Sequence, residues 1–516
     1  MRKVLIAIVV IAVLGGGAYF LLKGGTERTL QAQLDDALHR LPPDWEVKYD
    51  GVDVSPAKRA ATIKGLVIHY KPEPDAEIKA ESVTVENPAL DLDKRWADAM
   101  AHPDAVAEDA VFPVADAIEV RNLSVKSADQ TFSAASARTE AFKMYPWPLT
   151  RPGLPKIEAL PALLEKLKGE PTEAEMKPLL RFYGAAFLSA AYGKTDMQNL
   201  SVSGHIPPSP GMPAGNFTET FRTLQADGID RGVVKSAEAG GISAEMGPEM
   251  SFTVARVAYA DVDLRQPATR LAKGEELGPH TLDGMTLGML EFNGMTVKVP
   301  TGQSVPVGGF GLGHVTVTGG MPVSGRVFLT KLALDRAAIP DEDSQQAFEK
   351  LGLDRATISF SAAYDWDLGA KRVSVHDTSL VVDELGTLDF SGEVADVTPQ
   401  SNLMTDMKLA HARLQFQDKS LTDRLLKAGV KETGSNEATL KRQALETLRQ
   451  AALMFPGDPA IDAGVKQVKV FLDSPKSLTV ELAPKQPFSF ATLEVDEAAP
   501  PKDLPSQLGL SVKANQ

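Results

Sequence analysis

The chain contains no cysteine, so disulfides, thiolate metal sites and cysteine nucleophiles are all excluded. An oxidising compartment stays open to it, since a protein without thiols has nothing there to mispair. Clustered basic charge is also missing. Lysine and arginine occur singly or in pairs such as Lys58-Arg59, and 68 acidic against 54 basic residues leave a formal charge of -14. That balance argues against a nucleic-acid-binding surface. Catalytic signatures are equally scarce. His39, His69, His102, His205, His280, His314, His376 and His411 are scattered, with no helical ligand pair and no HExxH. No GxSxG precedes a helix, and no SxxK run is joined by the other elements of a penicillin-binding protein. The Gly-rich stretch VPVGGFGLGHV, residues 305–315, lacks the Walker lysine and both phosphate-loop spacings. It reads as a flexible crossing or a place of close backbone packing. No cofactor, catalytic residue or metal ligand is implied.

What the sequence does have is one long uncharged run at its start. After Arg2 and Lys3, residues 4–22 (VLIAIVVIAVLGGGAYFLL) carry no charge. At ~1.5 Å rise per residue, a helix of that length nearly spans the ~30 Å hydrocarbon core. Val4, Leu5, Ile6, Ile8, Val9, Val10, Ile11, Val13, Leu14, Tyr19, Phe20, Leu21 and Leu22 are the anchor residues of this reading. It makes residues 1–23 a single-pass anchor with a cytoplasmic N-terminus, and sends everything after Lys23 to the far side. The competing reading is a cleaved signal peptide cut near Gly15-Gly16-Gly17-Ala18. The anchor is favoured because Tyr19 to Leu22 carry the apolar run past any such cut.

A nine-residue phrase recurs beyond it. IEVRNLSVK at residues 118–126 and LEFNGMTVK at 290–298 share the order apolar, any, apolar, any, Asn/Gly/Asp, apolar, any, apolar, any. ATIKGLVIH from Ala61, VTVENPALD from Val83, the second half of TDMQNLSVS from Thr195 and VAYADVDLR from Val257 fit as well. VFLTKLALD from Val327 keeps the apolar places but has Lys331 at the turn-former position. In a regular strand the first apolar pair and the second face opposite sides, so something resets the register. A β-bulge at positions four and five would do it, with Asn122, Gly65 or Asp261 tolerating left-handed backbone. We expect bulges or kinks at most copies and a two-residue hairpin at Asn293-Gly294.

These strands predict an α+β, mainly β chain. Its expected form is a long curved antiparallel sheet of repeated short bulged strands, with helical segments packed on it and one N-terminal transmembrane helix. An ordinary sandwich is the competing architecture. Residues 24–145 read as a first β region opened by a helix at 26–41, and residues 146–195 as a Pro-rich joint with helices at 157–168 and 172–192. Residues 196–410 read as the main β-rich region. There, Asn216 caps a short helix carrying Phe217, Phe221 and Leu224, a helix spans 341–351, and a meander covers 353–397. Residues 411–475 carry three helices, and residues 476–516 closing strands and a tail. Asp91/Asp93, Asp261/Asp263 and Asp365/Asp367 alternate as if on one strand face, where they either bind a cation or act as acid and base, or simply solvate an edge.

The anchor, the helix after it, the passage WEVKYDGVDVSPAKRAATIKGLVIH and the recurring strands together resemble the AsmA-like and YdgA-like groups of bacterial inner-membrane-anchored proteins. The resemblance implies a long β-rich periplasmic body with a role in envelope maintenance and, for AsmA-like proteins, passage of lipids along an apolar groove. It supplies no catalytic residues. The expected partners are therefore the inner membrane, a lipid or acyl ligand, and an envelope protein partner, with no nucleic acid. The leading expectation is a non-enzymatic periplasmic lipid binder. Its alternatives are an envelope interaction scaffold and an envelope hydrolase.

Overall fold

The computed structural model describes residues 45–516 except 56, 58, 73–74, 90, 128–129, 156–171, 207–214, 247–249, 276, 299–302, 340, 402–405 and 490–502. The anchor residues 4–22 and the helices expected at 26–41 and 157–168 lie outside the described residues. Among the described residues no helix is long and apolar enough to cross a membrane. The described residues form twenty strands. The described residues divide into two compact units, the first up to 292 with 317–320 and the second 293–316 with 321–516.

In the first unit, β1 (Trp45–Lys48) and β2 (Gly51–Ser55) pair with successive halves of β3 (Ala60–Tyr70). There follow β4 (Glu77–Glu86), β5 (Phe112–Lys126), β6 (Gln130–Met144), β7 (Ala190–Ile206), β8 (Gly215–Asp230), β9 (Val233–Met246) and β10 (Met250–Asp263). From β3 onward each strand pairs antiparallel with the next. β11 (Thr286–Lys298) starts beside β10, where Gly288 faces Ala260. The helices are α1 (Leu92–Ala101), α2 (Pro146–Leu149), α3 (Glu173–Leu188) and α4 (Arg265–Lys273). Gly184 lets α3 and α4 touch: a Cβ there would lie 2.6 Å from the Ala268 carbonyl oxygen.

The strands that carry the phrase are longer than it implied. β5 to β10 run 14 to 17 residues, and IEVRNLSVK is the last nine residues of β5, with Asn122 inside the strand. Gly65, Asn122, Asn199 and Asp261 all take positive φ, at 60°, 47°, 48° and 54°. The burial expected of a bulge is present, because Ile118, Val120, Leu123 and Val125 are all buried, as are Ala61, Ile63, Leu66 and Ile68. Eight residues from both sides of the left-handed position thus join one core cluster. What differs is the register. No residue is gained or lost there against the neighbouring strand: Lys64 pairs with Ser82 and Leu66 with Ala80, while Lys79 pairs with Ser124 and Ser82 with Arg121. β4 changes face at the same level, since Ile78, Ala80, Val83 and Val85 are all buried. Whole rows of the sheet switch together.

Two such rows cross the unit. The first places Gly65, Asn122, Asn199 and Gly241 opposite Glu81, Ala135 and Arg222 of the intervening strands. The second places Asn87, Ala141, Gly228 and Asp261 opposite Asp116, Gly193 and Lys235. The left-handed residue alternates, on odd strands in the first row and at even strands in the second. Asp116 to Asn122 and Gly193 to Asn199 set the interval at six residues, about 20 Å of strand. Side chains reinforce both rows, with the Asn122 amide donating to Glu81 Oε2 and the Asn87 amide to Asp116 Oδ2 at 2.8 Å.

Several expectations are corrected. Asn293-Gly294 is no hairpin: β11 runs straight through it, with Gly294 at φ 62° as in the other copies. The helix expected from Asn216 is β8. Phe221 and Leu224 flank the row at Arg222, where the switch of face puts inward residues three apart and imitates a helical period. The Gly-rich stretch is no flexible crossing but part of a strand, β12 (Ser304–Thr318), in which His314 takes φ 53°, and only its close packing stands: a Cβ on Gly308 would lie 3.0 Å from the Thr330 oxygen and the Lys331 Cβ.

In the second unit β12 lies beside β13 (Met321–Asp335), and after α5 (Glu342–Lys350) come β14 (Arg355–Asp367), β15 (Arg372–Val382), β16 (Gly386–Ala395) and β17 (Lys408–Asp418). β14 to β16 form the expected meander, and β13 and β17 pair at its two sides. The helices α6 (Leu421–Thr433), α7 (Glu437–Ala452) and α8 (Pro459–Asp473) follow, with Asn436 and Asp458 as side-chain N-caps for the last two. β18 (Ser477–Leu482) and β19 (Phe488–Ser489) pair with β17, and after α9 (Leu504–Gln507) the expected tail becomes β20 (Leu510–Ala514), paired with β18. Here the left-handed residues do shift register. Lys331, at φ 50°, sits in a bulge opposite Ser359, and Asp377, at φ 48°, in another. The sequence pattern was right at Lys331 even though lysine is a poor turn former.

Candidate functional site

The bulges of the second unit sort its side chains cleanly between two faces. Leu329, Phe360, Leu380, Leu388, Phe416 and Leu478 pair in turn across β13 to β18. Beside that row, Phe390 pairs with Leu414 and Leu414 with Val480. One face is therefore apolar over six adjacent strands, because a period of two puts all these residues on the same side.

Only part of that face is covered. α8 lies over the β17, β18 and β20 end. Its Phe471 meets Phe416 edge-on at 6.1 Å, and Gly464 brings the helix so close that a Cβ would lie 3.2 Å from Val512 Cγ2. Away from the helix, Phe360 (36%), Leu380 (40%), Leu388 (37%), Phe390 (38%) and Leu414 (41%) remain open to solvent. Phe310 and Leu312 of β12 are exposed to the same degree. Isolated exposed apolar residues need no explanation, but contiguous ones in register across β14 to β17 mark a binding surface. α6 borders this region. Its N-terminal Ser420 donates to the Glu384 carbonyl, and Arg424 Nη1 donates to the Leu351 and Gly352 oxygens at 2.7 and 3.0 Å.

The opposite face is polar, with Ser361, Ser379, Asp389, Gln415 and Thr479 in register. His376, next to the Asp377 bulge, places Nε2 2.8 Å from Asp365 Oδ2 and Nδ1 3.4 Å from Asp377 Oδ2. Its pKa is raised, chiefly by the hydrogen bond to Asp365. His411, at the β17 register shift, lies 3.1 Å from Glu481, whose carboxyl it holds low.

The acid pairs do not form sites. Asp91 and Asp93 are not on a strand: Asp91 precedes α1 and chelates Arg95 at 2.8 and 2.5 Å, and Asp93 lies inside that helix. The left-handed Asp261 breaks its alternation with Asp263, which binds Arg265 instead. Asp365 takes His376, while Asp367 caps the next turn through the Ala370 N–H. Among the described residues no group of three His, Asp or Glu is placed to hold a metal ion. The apolar face escaped sequence reasoning as a site because Leu380 and Phe416 carry the same strand signal, and only α8 distinguishes them.

A family model described as an uncharacterized protein matches residues 379–515, the stretch from β15 to β20 that holds most of this face and the helices over it. No curated protein and no solved structure matches the chain.

Proposed function

We propose that the protein is a non-enzymatic component of the bacterial envelope, tethered to the inner membrane by residues 4–22, whose periplasmic body binds a lipid or another acyl ligand on the open apolar face of its second unit. One observation carries the reading: Phe360, Leu380, Leu388, Phe390 and Leu414 stand exposed and in register on four adjacent strands. The two left-handed rows of the first unit support a sheet that keeps one apolar face over long strands, as an AsmA-like or YdgA-like body requires, since at each row all the strands switch face at one level. Covering each of these side chains with an acyl chain gains about 25 cal/mol per Å² of apolar surface removed from water. The test is photolabelling of the full-length chain in membrane vesicles with a diazirine-bearing fatty acid. The labelled peptides should contain Leu380 to Phe390. Labelling spread evenly over the chain would sink the proposal. Cell fractionation with N-terminal sequencing tests the tether, and a mature chain beginning near Ala18 would overturn it.

A second reading, the envelope scaffold, is favoured by the turn between α7 and α8. Leu453 and Met454 are 73% and 61% exposed there, side by side and far more open than ordinary surface leucines. Crosslinking at this turn that recovers one stoichiometric protein would favour the scaffold over the lipid binder.

A further inference from the structure

The polar face of the second unit carries a notch of about 610 Å³ around the Asp377 bulge. Arg326 of β13 enters it from one side and Arg413 of β17 from the other. Arg326 is half-buried, its Nε is sealed from solvent without an acceptor, and it has no ion pair among the described residues. Arg413 makes one side-chain hydrogen bond, to Gln415 Oε1 at 2.8 Å.

Two carboxylates share the notch, yet neither forms an ion pair with either guanidinium. Asp389 accepts the Ser379 hydroxyl at 2.7 Å, and Asp377 is approached by His376. The hydroxyl hydrogens of Ser361 and Thr378 are also spent, on the backbone oxygens of Asp377 and His376 at 2.8 and 3.3 Å. The unspent donors are therefore the two guanidinium groups, the Ser391 hydroxyl and the Gln415 amide. A guanidinium is always charged, and one withdrawn from water without a counter-charge is costly. Its fork of N–H groups matches a carboxylate or phosphate.

We propose that this notch binds an oxyanion, the phosphate or carboxylate group of a small ligand, through Arg326 and Arg413. Its donors lie in register on the opposite face from the apolar row, with Phe390 the one residue that borders both, and the proposal does not rest on the acyl reading.

Thermal unfolding of the full-length chain, titrated with inorganic phosphate and separately with acetate at ionic strength matched by sodium chloride, tests it. The expected result is a saturable rise in Tm with at least one of the two, and the effective ion tells phosphate from carboxylate. Arg326→Gln should weaken the apparent affinity at least tenfold, and Arg413→Gln should weaken it as well. Arg442→Gln, on the exposed surface of α7, should leave it unchanged. Should Arg326→Gln fail to fold by circular dichroism, Ser391→Asp serves instead and should abolish the rise by placing a carboxylate among the donors. No rise beyond the chloride control, or an equal rise in the notch variants, overturns the proposal.

Discussion

At the scale of the residue, the protein depends on side chains that accept an unusual backbone and on neighbours that make room for them. Asn122 holds φ 47° in mid-strand, a conformation that costs an ordinary L-residue roughly 1–2 kcal/mol. Asn122→Gly should unfold in urea near the parent midpoint, whereas Asn122→Val should lose about 1–2 kcal/mol because a β-branched side chain fits that conformation worst. The complementary position is Gly288, where a Cβ would lie 2.8 Å from both the Ala260 oxygen and the Asp261 Cβ. Gly288→Ala should cost on the order of 1–3 kcal/mol by overpacking, while Gly51→Ala, with no atom within 4 Å of the new Cβ, serves as control. His376 makes stability depend on pH. Its folded pKa is raised above the ordinary value of 6.5, so its contribution is fully present below that pH and is lost as pH rises through the folded value. His376→Gln should flatten the stability profile from pH 6.5 upward, and chemical denaturation at a series of pH values checks it.

At the scale of the element, much was legible and the failures have a common cause. The three C-terminal helices, the meander of β14 to β16 and the strand cores at Ile63, Val120 and Leu123 all follow from apolar period and caps. In the second row Asn87 and Asp261 stand in copies of the phrase, but Ala141 carries no turn signal, and strand β8 reads as a helix where the first row crosses Arg222. A local pattern cannot show that the strand beside it switches face at the same level, which is a property of pairing. Capping offers the sharpest test. Asp458 is 5% exposed, accepts the Ala460 N–H at 2.8 Å with Oδ1 and the Ser506 N–H at 3.1 Å with Oδ2, and so ties α8 to α9. Asp458→Ala should cost about 1–2 kcal/mol, as for a strong cap, since a donor on each helix loses its acceptor. It should also raise proteolysis at 474–476, because α8 would hold β18 and β20 less firmly.

At the scale of the whole molecule, the largest fully buried aliphatic side chains among the described residues lie in the first unit and the open apolar row lies in the second. Ile63, Val83 and Val85 are at most 2% exposed in the first, and Ile63→Ala should lose about 2–5 kcal/mol in a denaturation series. Leu388 in the second is 37% exposed, so Leu388→Asp should leave the urea midpoint nearly unchanged while cutting fatty-acid photolabelling at least tenfold. Equal labelling with an intact fold would show that the face is not the acyl site. The alternation of left-handed residues in the first unit also bears on how such a body changes length. A strand with its special residue in one row must be followed by a strand with its special residue in the other, so the smallest piece that restores the order is a pair of strands. Gene duplication can therefore lengthen or shorten this body by whole hairpins, whereas a single added strand, or one residue inserted within the six between the rows, would throw every later neighbour out of phase.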